Sequence, residues 1–269
     1  MRSLLSAFLV SMLVLAPLAI LPAQAEEDDA TRAARWQELQ HTMFGDRPVQ
    51  AGGALITLDA PPRALDAALV PITVTLADTA KVKTLYVLID DNPSPLAGTF
   101  HFGPAADARE LRLRVRIDSY TLLHAVAETE DGQLYATETF VKAAGGCSAP
   151  STGDSQLALE RLGQMKLKPV ADLAPGRTAA QLLISHPNFN GMQMDQVTRN
   201  YTPARFIQDI KVSEKGVLIF DLESDISLSE DPTITFGYVP QGTAPLDVEV
   251  RDSTNAVFKR SFEAPAKGA

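Results

Sequence analysis

Residues 110–118 read Glu-Leu-Arg-Leu-Arg-Val-Arg-Ile-Asp, a strict alternation with the two-residue period of a half-buried β-strand. Leu111, Leu113, Val115 and Ile117 share one face, and Arg112, Arg114 and Arg116 share the other. The spacing predicts an apolar face packed inward and an exposed arginine stripe. Similar runs occupy 54–61, 69–77, 81–90, 98–103, 121–129 and 133–142, with turn clusters such as Pro61-Pro62, Asp90-Asp91-Asn92-Pro93 and Asp131-Gly132 between them. Seven short strands at this spacing predict an antiparallel β-sandwich of immunoglobulin type. A second set of seven follows at 163–170, 178–186, 206–213, 216–224, 233–240, 246–252 and 257–263. The expected fold is therefore all-β, with two immunoglobulin-like sandwiches. One segment departs from it. Residues 28–43 place Ala33, Trp36, Leu39 and Met43 at helical spacing, with Asp29 or Thr31 as cap and Gly45 and Pro48 beyond the end, so a short N-terminal helix is predicted, with Trp36 as a packing residue.

Between the two sets, residues 142–155 hold two glycines in succession, a cysteine, serines and a proline, and almost nothing to bury. That composition predicts a flexible linker. At the other end, residues 1–25 read as a cleaved secretory signal: Arg2, an apolar run from Leu4 to Leu21, and Ala23-Gln24-Ala25 before four acidic residues. The expected units are 1–25 as signal, 26–141 and 156–269 as sandwiches, and 142–155 as linker. Past the signal, no stretch is apolar for long enough to span a bilayer. The net charge is −9, and loss of Arg2 makes it more negative. An acidic balance of this size argues against nucleic acid and anionic membrane as partners. The signal implies export across the cytoplasmic membrane.

Cys147 is the only cysteine. It has no partner for an internal disulfide, so in an exported chain it is a free thiol, an intermolecular link or an accident. Gly145 and Gly146 precede it, and a thiol beside two glycines meets no side chain that blocks its approach to a narrow pocket. No base adjoins it, and Lys142 is five positions back. The residues thus predict an accessible thiol without its own activation. Enzyme signatures are absent: no nucleophile elbow, P-loop, zinc-protease helix or dinucleotide fingerprint. His41, His101, His124 and His186 are scattered, and no metal or cofactor site is expected. His124 reads as a partly buried strand residue, and His186-Pro187 with Gly191 reads as a strand-to-loop stop.

These residues carry a resemblance. Gly145-Gly146-Cys147 is similar to the start of the Gly-Gly-Cys-Gly-Gly arm that ends SoxY, a periplasmic sulfur carrier. Trp36 to Pro61 and the Val-Pro-Ile-Thr-Val of 70–74 resemble SoxY too. "SHPNFNGMQMD" (185–195), "YTPARFIQDIKV" (201–212) and "SLSEDPTITFGY" (227–238) resemble SoxZ. The chain looks like a fusion of the two, of the kind associated with quinoprotein alcohol dehydrogenases. The resemblance implies that Cys147 is a covalent carrier of sulfur-oxidation intermediates, that Gly145 and Gly146 give its arm flexibility, and that the chain catalyses nothing itself. The implied partners are periplasmic sulfur-oxidation enzymes, or a quinoprotein dehydrogenase with its cytochrome. One departure matters. The family's arm is a free end, whereas Cys147 is held on both sides, with Ser148-Ala149-Pro150 in place of the trailing glycines. Six residues beyond Val141, the thiol reaches about 20 Å from the first sandwich at most. Three readings stay open at this point: a covalent carrier, a non-covalent docking protein for a periplasmic dehydrogenase, and a thiol-dependent transferase that lacks a visible base.

Overall fold

The computed structural model describes residues 28–77, 82–149, 155–170, 178–194 and 199–263. The signal expected at 1–25 lies outside them. Helix α1 (Asp29–Phe44) is capped by Asp28, one residue before the first of the two expected caps: the Asp28 carboxylate accepts the Thr31 N–H at 2.8 Å, satisfying an orphan amide of the first turn. Gly45 ends the helix by donating its N–H to the His41 carbonyl. Phe44 is buried among Leu88, Val126 and Leu134, and Trp36 and Met43 pack beside it. The helix therefore covers the outer face of the first sandwich.

All fourteen alternating runs are strands. In the first half, β1 is Val49–Ala51, β2 Ile56–Asp59, β3 Val70–Leu76, β4 Val82–Ile89, β5 Leu96–Phe102, β6 Ala106–Val115, β7 Thr121–Thr129 and β8 Leu134–Val141. In the second half, β9 is Met165–Pro169, β10 Thr178–Ile184, β11 Ile207–Glu214, β12 Val217–Ser224, β13 Thr233–Tyr238, β14 Leu246–Asp252 and β15 Val257–Phe262. Two elements had no periodic signal because they are short: β1, with three residues, and α2 (Ser155–Glu160), with six.

Each sheet runs across both halves. One sheet has the order β1-β8-β7-β4-β5-β12-β11-β14-β15, and the other β2-β3-β6-β13-β10-β9. The halves join where β5 pairs antiparallel with β12, from Phe102↔Phe220 to Gly98↔Ser224, and where β6 pairs with β13, from Arg112↔Thr235 to Ala106↔Tyr238. Two edge-joined sandwiches thus form one two-layer structure. A single apolar core fills it, from Ile56 and Val70 in the first half to Val248 and Val250 in the last strands. At the join, Phe100 meets Phe220 at 5.8 Å between ring centroids and Phe220 meets Phe236 edge-on at 5.0 Å. Aromatic rings in such offset and edge contacts add to the burial they already provide.

Candidate functional site: a docked cysteine between the halves

Beyond β8 the backbone stays tied to the first half. Lys142 donates to the Pro62 carbonyl and accepts from Ala64, Gly145 donates to Asp118 at 2.7 Å, and Gly146 donates to Ile117 at 3.0 Å. Gly145 has φ +76°, a left-handed value that favours glycine. Gly146 serves close approach, since a Cβ there would fall 2.1 Å from the Ala67 carbonyl oxygen and 2.5 Å from that of Ile117. A tight turn follows, in which Gly145 O accepts from the Ala149 N–H at 2.9 Å and from the Ser148 hydroxyl at 3.2 Å. Cys147 sits in this turn with no solvent exposure. This corrects the expectation of an open, accessible thiol: residues 142–149 are docked, and in this state the two glycines shape the dock. Composition misled because the segment, though it has little to bury, has backbone groups that pair well with the loops beneath it.

The thiol is chemically quiet as well as hidden. Burial pushes the Cys147 thiol up to about 12, Asp118 adds to the effect, and Arg116 opposes it. The thiolate is the nucleophile, so the docked cysteine is close to inert.

The second half closes the dock. Asn190 donates its side-chain amide to the Cys147 carbonyl at 2.6 Å, and Gln193 donates to the Ala149 carbonyl at 3.3 Å. Both lie in the loop that follows β10, the stretch singled out by "SHPNFNGMQMD". Asn188 anchors that loop, donating its side chain to the Ser229 carbonyl at 2.7 Å and accepting the Ile207 N–H at 3.0 Å. His186 is buried, and its Nδ1 accepts the Asn188 N–H at 3.0 Å. It acts as the turn residue expected from sequence, with its described polar partners at Asn188, Asp231 and Asp252.

Arg116 was expected on an exposed stripe, and the structure corrects this. Arg112 pairs with Glu110, and Arg114 donates to Asp231 O and Thr233 Oγ1 from a half-buried position. Arg116 is 1% exposed. Strand β6 ends at Val115, so the alternation that would turn Arg116 outward has stopped. Its guanidinium donates to the carbonyls of Asn188 at 2.8 Å, Leu228 at 2.9 Å and Pro187 at 3.4 Å, while its Nε has no partner among the described residues. Burial pulls its pKa down, and the charges of Glu230 and Cys147 act the other way. No run of residues announced this cation near the thiol: two strands, β7 and β8, separate it from the arm in the chain, and it acts on the thiol only through the fold.

Two family models match the chain: Sulfur oxidation protein SoxY over residues 40–147 and Sulphur oxidation protein SoxZ over residues 166–263. The chain is a SoxY–SoxZ fusion. A solved structure titled sulfur carrier protein SoxY, from Chlorobium limicola f thiosulfatophilum, is 28% identical, with coverage of 42% of this chain and 96% of that one and a TM-score of 0.36. No curated protein matches. The SoxY match ends on Cys147, so the SoxY half supplies the arm and the buried Arg116, and the SoxZ half supplies Asn190 and Gln193. The joins β5–β12 and β6–β13 are the SoxY–SoxZ contact.

His186 has a consequence for stability. Burial pulls its pKa down to about 4, only partly offset by Asp252, whose Oδ2 is 3.6 Å from Nε2 and also accepts from Arg205 at 2.8 Å. An imidazole with a lowered folded pKa binds fewer protons than the unfolded chain, so it costs nothing above pH 6.5 and costs stability as pH falls from there towards 4. We expect the SoxY–SoxZ fusion to lose about 3 kcal/mol across that window from this group. Urea melts at pH 7 and pH 4 check it, and a His186→Gln variant should flatten the difference.

In the SoxY half, His124 is buried rather than partly so. Its Nδ1 lies 2.9 Å from Asp90 Oδ1 and its Nε2 2.9 Å from Glu138 Oε2. Trp36 stacks on it at 3.6 Å. Burial holds the Asp90 carboxyl above the usual range, with His124 pulling it back. An open groove of about 510 Å³ borders the pair, with Gln40, Gln50 and Glu138 on its walls. This cluster seats helix α1 on the sheet. Among the described residues no group of three His, Cys, Asp or Glu side chains is placed to hold a metal ion.

Proposed function

We propose that the fusion is a sulfur-carrier protein of the periplasm that holds sulfur-oxidation intermediates covalently on Cys147, and that the docked turn is its resting state. The observation that carries the reading is the position of the sole cysteine. It is the last residue of the SoxY match, and it lies outside both sheets on a turn held by a few hydrogen bonds that can be exchanged for water. Loading then begins with release. The freed thiol loses its proton, its sulfur bonds to the outer sulfur of a thiosulfate-like ion, and two electrons pass to a partner oxidoreductase. The product is a Cys147 disulfide-like adduct ending in an anionic sulfonate. The chain supplies the thiol and its shelter, and partner enzymes supply the electron acceptor and the later hydrolysis. Among the described residues no helix is long and apolar enough to cross a membrane.

The depth of the burial favours a second reading, in which the thiol is a packing group and the two halves dock onto a periplasmic quinoprotein dehydrogenase. Intact-mass analysis of protein purified from its own host separates the two. Sulfur-bearing adducts on Cys147 that vanish in Cys147→Ser are expected. A thiol unmodified under every growth condition would sink the carrier reading and leave the docking one.

A further inference from the structure

Large apolar side chains left in water gather at the end of the molecule that holds the arm. Seven are exposed among the described residues, and five of them lie on segments that border Cys147. Leu65, fully exposed, follows Ala64, whose N–H donates to the Lys142 carbonyl at 3.0 Å. Tyr120 lies two residues past Asp118, whose carbonyl accepts the Gly145 N–H, and Lys142 Nζ sits over the Tyr120 ring at 5.9 Å. Tyr201, 64% exposed, precedes Thr202, whose N–H donates to the Gln193 carbonyl at 2.8 Å while the Gln193 side chain holds Ala149. Leu157 and Leu159 are on α2, the first element past the arm. The turn after α2 is fixed at the same end, where Gly163 donates to the Ser185 carbonyl at 2.9 Å and Arg161 lies 3.8 Å from Asp231. Of the other two, Val239 follows β13 at the opposite end, beside Ala105, and Val257 opens the outermost strand β15. Exposed apolar side chains scattered singly are ordinary, but several grouped around one feature mark an interaction surface.

The arm's short reach decides what has to come to it. The chain is hydrogen-bonded through Lys142 and is helical again from Ser155, so a lifted arm doubles back between two fixed ends. Residues 143–154 then carry Cys147 about 20 Å out at most. A partner that takes the thiol into a recessed active site has to bring its own surface down onto these loops. We propose that Leu65, Tyr120, Leu157, Leu159 and Tyr201 form a collar around Cys147 on which a partner enzyme docks, through an apolar rim at the mouth of its active site. Covering leucine and tyrosine removes apolar area from water, and tyrosine is a common anchor in such contacts. The collar draws on both halves, so it recognises the assembled chain. The occupant is an enzyme because the carrier reading holds that loading and unloading bring one to Cys147.

The rate of loading in the host reads the collar. Cells that lack the native gene express the full chain, thiosulfate is added, and the growth of sulfur-bearing adducts on Cys147 is followed by intact mass. Leu65→Glu with Tyr201→Glu, one change in each half, should slow initial loading about tenfold, the size expected when interface anchors are lost. Val239→Glu, at the opposite end, should load at the wild-type rate. Maleimide labelling of the native double variant should equal that of wild type. Labelling that changes in step with the loading loss would place the effect in the arm and overturn the collar. Leu65→Ser with Tyr201→Ser repeats the test without added charge, and stands in if the glutamate pair fails to fold. Wild-type loading in the double variants, or an equal loss in Val239→Glu, would overturn the collar and leave the carrier reading standing. A wild type that never loads would take both down. A dimer in solution that the double variant dissociates would give the surface to a second copy of this chain and overturn the proposal too.

Discussion

Maleimide labelling of Cys147 at pH 8 is expected to be about a thousandfold slower in the native protein than in denaturant. A thiol held at about 12 rather than its ordinary 9 leaves about a thousandfold less thiolate at any pH below both. Access is closed as well, so any native rate faster than this reports the fraction of time the arm is lifted. Gly146→Ala supplies the counterpart. The added methyl would meet two carbonyl oxygens that belong to backbone and cannot swing aside. The arm then cannot dock, and labelling should approach the denatured rate while the cooperative melt persists, because the two sheets are untouched. A native wild-type rate close to the denatured one would contradict the docked state. A slow Gly146→Ala would show that the glycine is not what admits the turn.

Cutting the chain within residues 150–154 is expected to leave residues up to 149 and from 155 onward bound together at micromolar concentration. The contact is continuous sheet, with five aligned residue pairs between β5 and β12 and four between β6 and β13. Separation would strip the Phe100, Phe220 and Phe236 cluster and open four strand edges, β5 and β6 on one fragment and β12 and β13 on the other, to solvent and to other chains. A linker raises effective concentration without adding contact area, so its loss should leave the association intact. Size-exclusion chromatography after proteolysis checks this, and separate elution of folded fragments would show that the joined sheets contribute little.

Much of this architecture was legible because alternation records it directly. Leu111, Leu113 and Val115 face inward as their spacing required, and each alternating run became a strand. What alternation does not record is which strand edges meet. Nothing local in β5 or β6 says that its neighbour lies in the other half, so two sandwiches were expected without the edge pairing that makes their sheets continuous. The site was legible as chemistry and illegible as geometry. Cys147 stood out by being alone, and the glycines before it by their chain position. Arg116 carried the same pattern as Arg112 and Arg114, yet the strand ends one residue before it and leaves it inside. Asn190 and Gln193 looked like ordinary loop residues, since a donor that holds another segment's backbone has no signature of its own.

The arm and the loop that covers it come from opposite halves, yet they belong to one polypeptide. For two separate subunits, the shelter of such a thiol would fade on dilution as the complex dissociates. In this chain the sheltering loop travels with the cysteine at a fixed ratio of one to one. Shelter is therefore independent of protein concentration, and a molecule present at a few copies in a large volume keeps its sulfur as well covered as one in a crowded compartment.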